Sequence, residues 1–466
     1  MSTMSDKTVQ LISLRNDVLE NLKNTYLNEQ QVKEIGLEKC EEQFHELLVK
    51  LATPPAFTTL RINPCVASGD KDAVIQLVRE EIEKQYLRKG WLTPEIIVHP
   101  TLTDVLVIPN RGPNLEPVQT NYKEVIVDHD CGMAVLRGAD VFVQGIMGAH
   151  QDLQAGDSVV VYADIDGVCR RGMTQKFTGN KKYVGSGVMR ASREQIFVTK
   201  EKISGVGVEM TQPLYEAPSL YGVLSAYIFP QNLPSIVCSR VLDPKPGETI
   251  LDMCAAPGGK TVHIATLMNN IGRVVALDKT PQKVEKVAKN VASWGITCIE
   301  TYPFDSTQAV DEAADVSGPP PYPQSSFDRV LLDGPCSAFG QRPCCKNRMT
   351  LNTLKSYSTY QRKFIEKAVQ LLKPGGVLVY STCTITLDEN ERQVAWTLQN
   401  FPELSLEDQV PHLGGHGMLG STMKREELQK LQRFDPTMMA MNHDQVDVNS
   451  DTIGFFIAKF RKVFKR

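Results

Sequence analysis

The stretch "GETILDMCAAPGGKT", residues 247–261, reads as a strand, a loop of small residues and the start of a helix. Its Gly258-Gly259 pair does not follow the G-x-G-x-x-G dinucleotide spacing, and Lys260 and Thr261 do not complete a Walker A loop. Small side chains at this point let the backbone approach a ligand at the carboxyl end of the first strand of an open sheet. From about Ile236 onward strands and helices alternate, with strands expected to end at Asp252, Asp278, about Asp305, Asp333 and Ser381. That texture predicts a doubly wound α/β domain, closed by a last strand in "DTIGFFIAKFRK" (451–462). Residues 402–450 read as polar and irregular.

Carboxylates recur at successive strand ends and no pyrophosphate loop appears. Asp278, ending the second strand, is placed to accept hydrogen bonds from ribose hydroxyls, and Asp305 to accept one from an adenine amino group. This pattern favours adenosylmethionine over NAD. The competing explanation is that such aspartates only cap the next helix.

Upstream the texture differs. Residues 8–50 show helical spacing, with Leu11, Leu14, Val18, Leu19 and Leu22, then Phe44, Leu47, Leu48 and Leu51. "FTTLRINP" (57–64), the amphipathic "DAVIQLVREEIEKQ" (72–85) and the short strands "EIIVHP" and "DVLVIP" suggest half of a small α+β sandwich. From Tyr122 to Phe197, "EVIVD", "AVLRGADVFVQGI", "DSVVVYAD" and "KYVGSGVM" read as short strands between Gly and Asp turns, a small β-barrel inserted into the chain.

The net charge is −3, so the whole chain carries no nucleic-acid signature, but its distribution does. Residues 121–168 hold two basic and eight acidic side chains; residues 169–202 hold nine basic and two acidic. The basic run is interleaved with Phe177 and Tyr183 and fits either a phosphate-tracking surface or a solvated loop. No apolar run approaches the ~18 residues of a membrane span, and "MSTMSDKTVQ" has no targeting pattern. A soluble cytoplasmic protein is expected. Eleven cysteines without C-x-x-C spacing argue against zinc or any other metal, and an odd count argues against a disulfide framework.

Two cysteines stand apart, each after an apolar run: Cys336 in "RVLLDGPCSAFG" and Cys383 in "GGVLVYSTCT". Cytosine C5 is a poor nucleophile until a thiolate adds at C6 and turns it into an enamine carbon. A base must then remove the C5 proton so that the thiol can leave. A pair of facing cysteines suits both steps, with a carboxylate on the N3 side of the base.

"LDMCAAPGGKT" (251–261), "LLDGPCSAFGQRP" (331–343) and "VYSTCTITLDENE" (379–391) resemble the three signature motifs of the Nop/Sun (RsmB-like) family of RNA cytosine-C5 methyltransferases. The resemblance runs from Gln231 to the end. Upstream, "FTTLRINP" and "GVEMTQPLYEAPSL" are similar to the family's RNA-recognition-like segment, and "GMAVLRGADVFVQGI" with "AGDSVVVYAD" resembles a PUA domain. A PUA domain inserted before such a core resembles the branch that methylates the tRNA acceptor stem near the 3′-CCA end, at position 72 by tRNA convention.

The resemblance implies a Rossmann-like class I adenosylmethionine-dependent methyltransferase core with an RNA-recognition-like α+β segment and an inserted PUA β-barrel. The expected boundaries are an N-terminal helical segment 1–55, the RNA-recognition-like segment in two parts, 56–118 and 205–235, the PUA domain 119–204 and the catalytic domain 236–466. It implies that Cys383 attacks C6, that Cys336 resolves the adduct, and that Asp333 and Lys260 hold the cytosine. Cys254, Ala255, Ala256, Pro257, Gly258, Gly259, Lys260, Asp278, Asp305 and Asp333 would line the adenosylmethionine site. Arg137, Phe142, Arg170, Arg171, Lys176, Lys181 and Lys182 are the candidates for RNA contact, the first three or four because the resemblance places them where the acceptor-stem branch reads RNA and the others on charge alone. The expected partner is tRNA, through its acceptor stem and 3′-CCA end, or other structured RNAs with similar ends; no membrane partner is expected and the chain should be a monomer. The alternative is a catalytically silent RNA-binding protein that keeps the same folds. Gly334 and Ala338 depart from the usual D-A-P-C-S-G pattern, small for small, and Cys344-Cys345 reads as incidental.

Overall fold

A computed structural model describes residues 11–64, 70–114, 122–199, 203–220, 222–437 and 447–464. The charge and targeting readings that include residues 1–10, 121 and 200–202 extend beyond the described residues. The largest unit is a sheet whose five parallel strands are Thr249–Asp252, Arg273–Asp278, Ile299–Pro303, Phe327–Asp333 and Leu372–Thr382, the first to fifth core strands. In space they run third, second, first, fourth, fifth, followed by the antiparallel Phe455–Lys462. Side chains alternate between faces: Ile250, Val274, Leu331 and Val377 pack on one side, Leu251, Val275, Val330 and Leu378 on the other. Helices cover both faces, as a parallel sheet buried on both sides requires. The chain order reverses beside the first strand, so the carboxyl ends of the first and fourth strands flank a crevice.

Residues 402–450 hold more regular structure than their polarity predicts. Leu404–Leu406 and Gln432–Phe434 both pair with Phe455–Lys462. Both are three-residue strands, too short for a period-two pattern to register.

Phe57–Ile62, Ile97–Val98, Val105–Pro109 and Ile228–Pro230 form a four-stranded antiparallel sheet, and helix Lys71–Lys89 shares its apolar cluster. The edge strand Ile228–Pro230 follows the whole barrel in sequence, so the barrel is inserted into this unit. Helices Asn16–Tyr26, Glu29–Ile35 and Leu37–Leu51 replace the single helical run read from residues 8–50. Asn28 caps the second by accepting from the Gln31 N–H, and residues 8–10 are not among those described. Leu11 is exposed and Ile12 is buried in its place.

The barrel is a six-stranded sheet built from Lys123–Val127, Val141–Phe142, Ile146–Ala149, Ser158–Asp164, Lys181–Met189 and Val206–Pro213. Three sequence expectations fail here. Ala134–Leu136 are helical, within His129–Leu136, because Asp128 caps that helix through the Cys131 N–H. The boundary at residue 204 cuts the barrel: Val206–Pro213, read as part of the RNA-recognition-like segment, pairs with Lys181–Met189 and buries Val208 and Met210 in the barrel core. The boundary at 235 falls inside helix Leu233–Leu242, which packs on the catalytic sheet.

Candidate active site

A cavity of about 640 Å³ opens at the carboxyl ends of the core strands. Three units build it. The core supplies Asp252, Cys254–Pro257, Gly259, Lys260, Asp333, Gln341, Arg342, Cys383 and Phe455; the four-stranded sheet supplies Phe57–Thr59 and Phe229–Gln231; the barrel supplies Arg137. Cys336 and Cys383, on turns after the fourth and fifth strands, meet with Sγ···Sγ 3.4 Å. The Cys336 thiol shares its proton with Cys383, which holds the Cys383 pKa below the ordinary thiol value against burial and the nearby Asp333 carboxylate. Gln341 and Lys260 act in the same direction. The same shared proton, with burial, pushes Cys336 well above the thiol range. The two sulfurs are thus close enough for a shared proton to favour a thiolate on one of them, with the lower pKa on Cys383.

Lys260 Nζ lies 2.7 Å from Asp333 Oδ2, and Ser381 Oγ donates to Asp333 Oδ1 at 2.7 Å. Burial works against charge on Lys260, but the charge and hydrogen bond of Asp333, together with the Cys238 and Cys383 sulfurs, outweigh it and keep the ammonium protonated. The turn carrying Cys336 is fixed from below. The buried Glu389 carboxylate accepts from the Ser337 N–H and hydroxyl, from Thr386 and from Gln361.

The small-residue loop fits an adenosylmethionine. Gly258 has φ +103°, and a Cβ there would lie 3.2 Å from Val287 Cα, so the turn needs glycine. Asp252 accepts from Thr261 Oγ1 at 2.7 Å, while its Oδ1 is buried with no protein partner. Burial pushes the Asp252 pKa up to about 7. Asp278 accepts from the Ala256 N–H at 3.2 Å and has Lys283 Nζ 3.6 Å from its other oxygen. Asp305 caps the turn that follows it, accepting from the Thr307 N–H and hydroxyl, and pairs with Lys279 at 2.9 Å. The capping explanation therefore applies to Asp305, while Asp252 keeps a free acceptor. Neither Asp278 nor Asp305 lines the cavity.

The RNA candidates separate into two groups. Arg137 is exposed at the cavity mouth, Phe142 is exposed on an edge strand, and Arg170 and Lys176 are exposed on the basic run. The other three have structural partners. Lys182 is buried and donates to Ala52 O at 2.9 Å and to Cys345 Sγ at 3.2 Å. Arg171 donates to the carbonyls of Gln144 and Ile146, and Lys181 pairs with Glu124. Lys182 is thereby corrected from an RNA contact to a tie between the barrel and the core, because charge density along a sequence does not reveal which side chain points inward. Cys345 is not incidental: it sits fully buried in the barrel's apolar cluster.

Sequence reasoning left Ser381, Gln341, Glu389 and Asp252 out of the site. Asp252 and Ser381 already stood at strand ends, so the rule that selected Asp278 and Asp333 reaches them too. Arg342 gave no signal: its guanidinium is buried and holds the Lys50, Thr53 and Pro54 carbonyls and Asp451.

A family model described as 16S rRNA methyltransferase RsmB/F matches residues 239–461, and a PUA domain model matches residues 123–205. The tRNA (cytosine(72)-C(5))-methyltransferase NSUN6 of Mus musculus is 47% identical, over 97% of this chain and 96% of its own. The protein of the same name from Homo sapiens is 46% identical, over 97% and 98%. The crystal structure of NSun6 from Pyrococcus horikoshii with SFG superposes with a TM-score of 0.73 at 28% identity, over 97% of this chain and 99% of that one.

Proposed function

Because the chain belongs to the RsmB/F family of RNA methyltransferases, we propose that it forms 5-methylcytosine in tRNA, at position 72 of the acceptor stem, with its PUA domain holding the 3′-CCA end. The observation that carries the chemistry is the apposition of the two thiols at 3.4 Å beside the Lys260–Asp333 pair. Bound adenosylmethionine supplies an electrophilic methyl group. Cys383, as thiolate, adds to C6, and the electron pair displaced from the C5–C6 bond makes C5 nucleophilic. Asp333, clamped by Lys260 and Ser381, presents a fixed carboxylate to the N3 and N4 edge of the base, and Lys260 presents a donor beside it.

After methylation C5 carries both its hydrogen and the new methyl group. Cys383 is now a neutral thioether, so the main influence raising Cys336 is gone and Cys336 gives up its proton to water. As thiolate it takes the C5 proton. The C5–H pair re-forms the C5=C6 bond, the C6–S bond breaks, and Cys383 leaves as thiolate. A catalytically silent RNA-binding protein needs none of these four groups, and all four are present.

On the RNA side we assign contacts to Arg137, Phe142, Arg170 and Lys176. A single-stranded CCA end offers base faces to Phe142 and phosphates to the cations. Arg137 links the barrel to the cavity mouth, which supports one RNA end reaching both. The same reading has the chain act as a cytoplasmic monomer, with a helical segment up to residue 55, an RNA-recognition-like segment from 56, and a barrel that runs on to Pro213. Methyl transfer from labelled adenosylmethionine to an acceptor stem with and without CCA tests it. A sharp loss on trimming is expected. Equal rates would overturn the role of the 3′ end, and no transfer to either RNA would overturn the substrate.

A further inference from the structure

Gln231 lies on the cavity wall beside the small-residue loop, on the segment that joins the four-stranded sheet to the core. Its side chain is oriented from behind. Arg61, wholly buried, has its guanidinium 4.5 Å from the Trp294 ring centroid and 5.8 Å from that of Phe229. From that position Arg61 Nε donates to Gln231 Oε1 at 3.3 Å, and its Nη2 approaches Gly259 O at 3.5 Å. A guanidinium has only donors, so it fixes which end of the amide is which: Oε1 faces Arg61 and Nε2 faces away. Gln231 Nε2 then lies beside Gly259, 3.6 Å from where a Cβ on that residue would stand. Gly259 and Lys260 line the same cavity as Gln231, and Cys383 marks where the reacting base must come.

The geometry points to Gln231 as a cofactor-binding residue whose Nε2–H donor holds the carboxylate of the methionyl end of adenosylmethionine. The acceptor has to be anionic or strongly polar, because Nε2 can only donate and the buried Arg61 charge behind it adds positive potential. The ribose end belongs at Asp278, at the end of the second strand. The methionyl end therefore runs past the 254–259 loop towards Lys260 and Cys383, and its carboxylate is the one group there that only accepts. Arg61 touches no ligand; it is a positioning residue for the amide. The inference rests on the adenosylmethionine site proposed above, but its test needs no RNA and no turnover.

Calorimetric titration of the full-length protein with adenosylhomocysteine and with 5′-methylthioadenosine, which lacks the amino-acid end, separates this contact from the rest of the site. Gln231→Leu should weaken adenosylhomocysteine roughly tenfold or more, the scale of one hydrogen bond to a charged group. It should leave 5′-methylthioadenosine within about twofold. Gln231→Glu keeps the acceptor for Arg61, loses the donor, and should weaken adenosylhomocysteine further while sparing 5′-methylthioadenosine. Equal weakening of both ligands, or no weakening of adenosylhomocysteine, would overturn the assignment. Failure of both ligands to bind the unmutated protein would instead overturn the adenosylmethionine site itself.

Discussion

Gly340 stands where two backbones cross beside the nucleophile. Its N–H donates to the Cys383 carbonyl at 2.9 Å, and its own carbonyl accepts from the Gly454 N–H at 2.8 Å. A Cβ added here would lie 2.0 Å from Gly454 O, 2.5 Å from its carbonyl carbon and 2.8 Å from Cys383 O. Such contacts essentially never fall below 3.0 Å, so the crossing must open by about 1 Å. All three contacts are backbone atoms, and none can rotate aside. Opening the crossing displaces either the strand Phe455–Lys462 or Cys383 itself. Overpacking of this kind costs about 1–3 kcal/mol, and a ~1 Å displacement of a reacting group costs on the order of a hundredfold in rate. Gly340→Ala should therefore remain folded, with a lower urea midpoint, while methyl transfer falls about a hundredfold and adenosylhomocysteine binding is kept. A variant that melts and turns over like the unmutated protein would refute the steric reasoning.

Other outcomes follow from the burial of single groups. Asp252 has a folded pKa of about 7 against an unfolded carboxyl near ~3.9. The folded state holds the extra proton between those values, so this group lowers stability as pH rises through that window and contributes no slope above it. Asp252→Asn should remove that decline, and melting curves from pH 4 to 8 that stay parallel for the two proteins would contradict it. Lys182→Met should cost about 1–3 kcal/mol, since it strips a buried carbonyl of its donor, and should leave the salt dependence of RNA binding unchanged. Neutralising Arg170 and Lys176 together should do the reverse, flattening the salt slope by about one to two units with little effect on the melting temperature.

How far the sequence carried depended on how local each feature is. The catalytic sheet was legible because four of its five parallel strands end on a polar residue and three of the four connections between them are helices; Asp252, Asp278, Asp333 and Ser381 stand where the pattern puts them. The cysteine pair was legible as two turns, but not as a 3.4 Å contact with a shared proton, which depends on adjacent strands bringing residues 47 apart together. The wall around Gln231 was not legible at all. Arg61 and Gln231 are 170 residues apart and meet only because Phe57–Ile62 pairs with Ile228–Pro230 across the inserted barrel. Charge was the least reliable guide. Lys182 and Arg170 look alike in the basic run, yet one is buried against Ala52 and the other faces solvent. Val206–Pro213 was assigned to the wrong unit because its alternation marks a strand without naming the sheet that takes it.

The central claim is the division of labour between the two cysteines, and denaturing gel electrophoresis of each variant with substrate RNA and adenosylmethionine tests it most directly. Cys383→Ala should give neither methyl transfer nor a covalent protein–RNA band, because C6 is never attacked. Cys336→Ala should attack and methylate but release slowly, so a band that survives denaturation should accumulate. A covalent band with Cys383→Ala and none with Cys336→Ala would contradict the assignment and make the cysteine after Gly334-Pro335 the nucleophile.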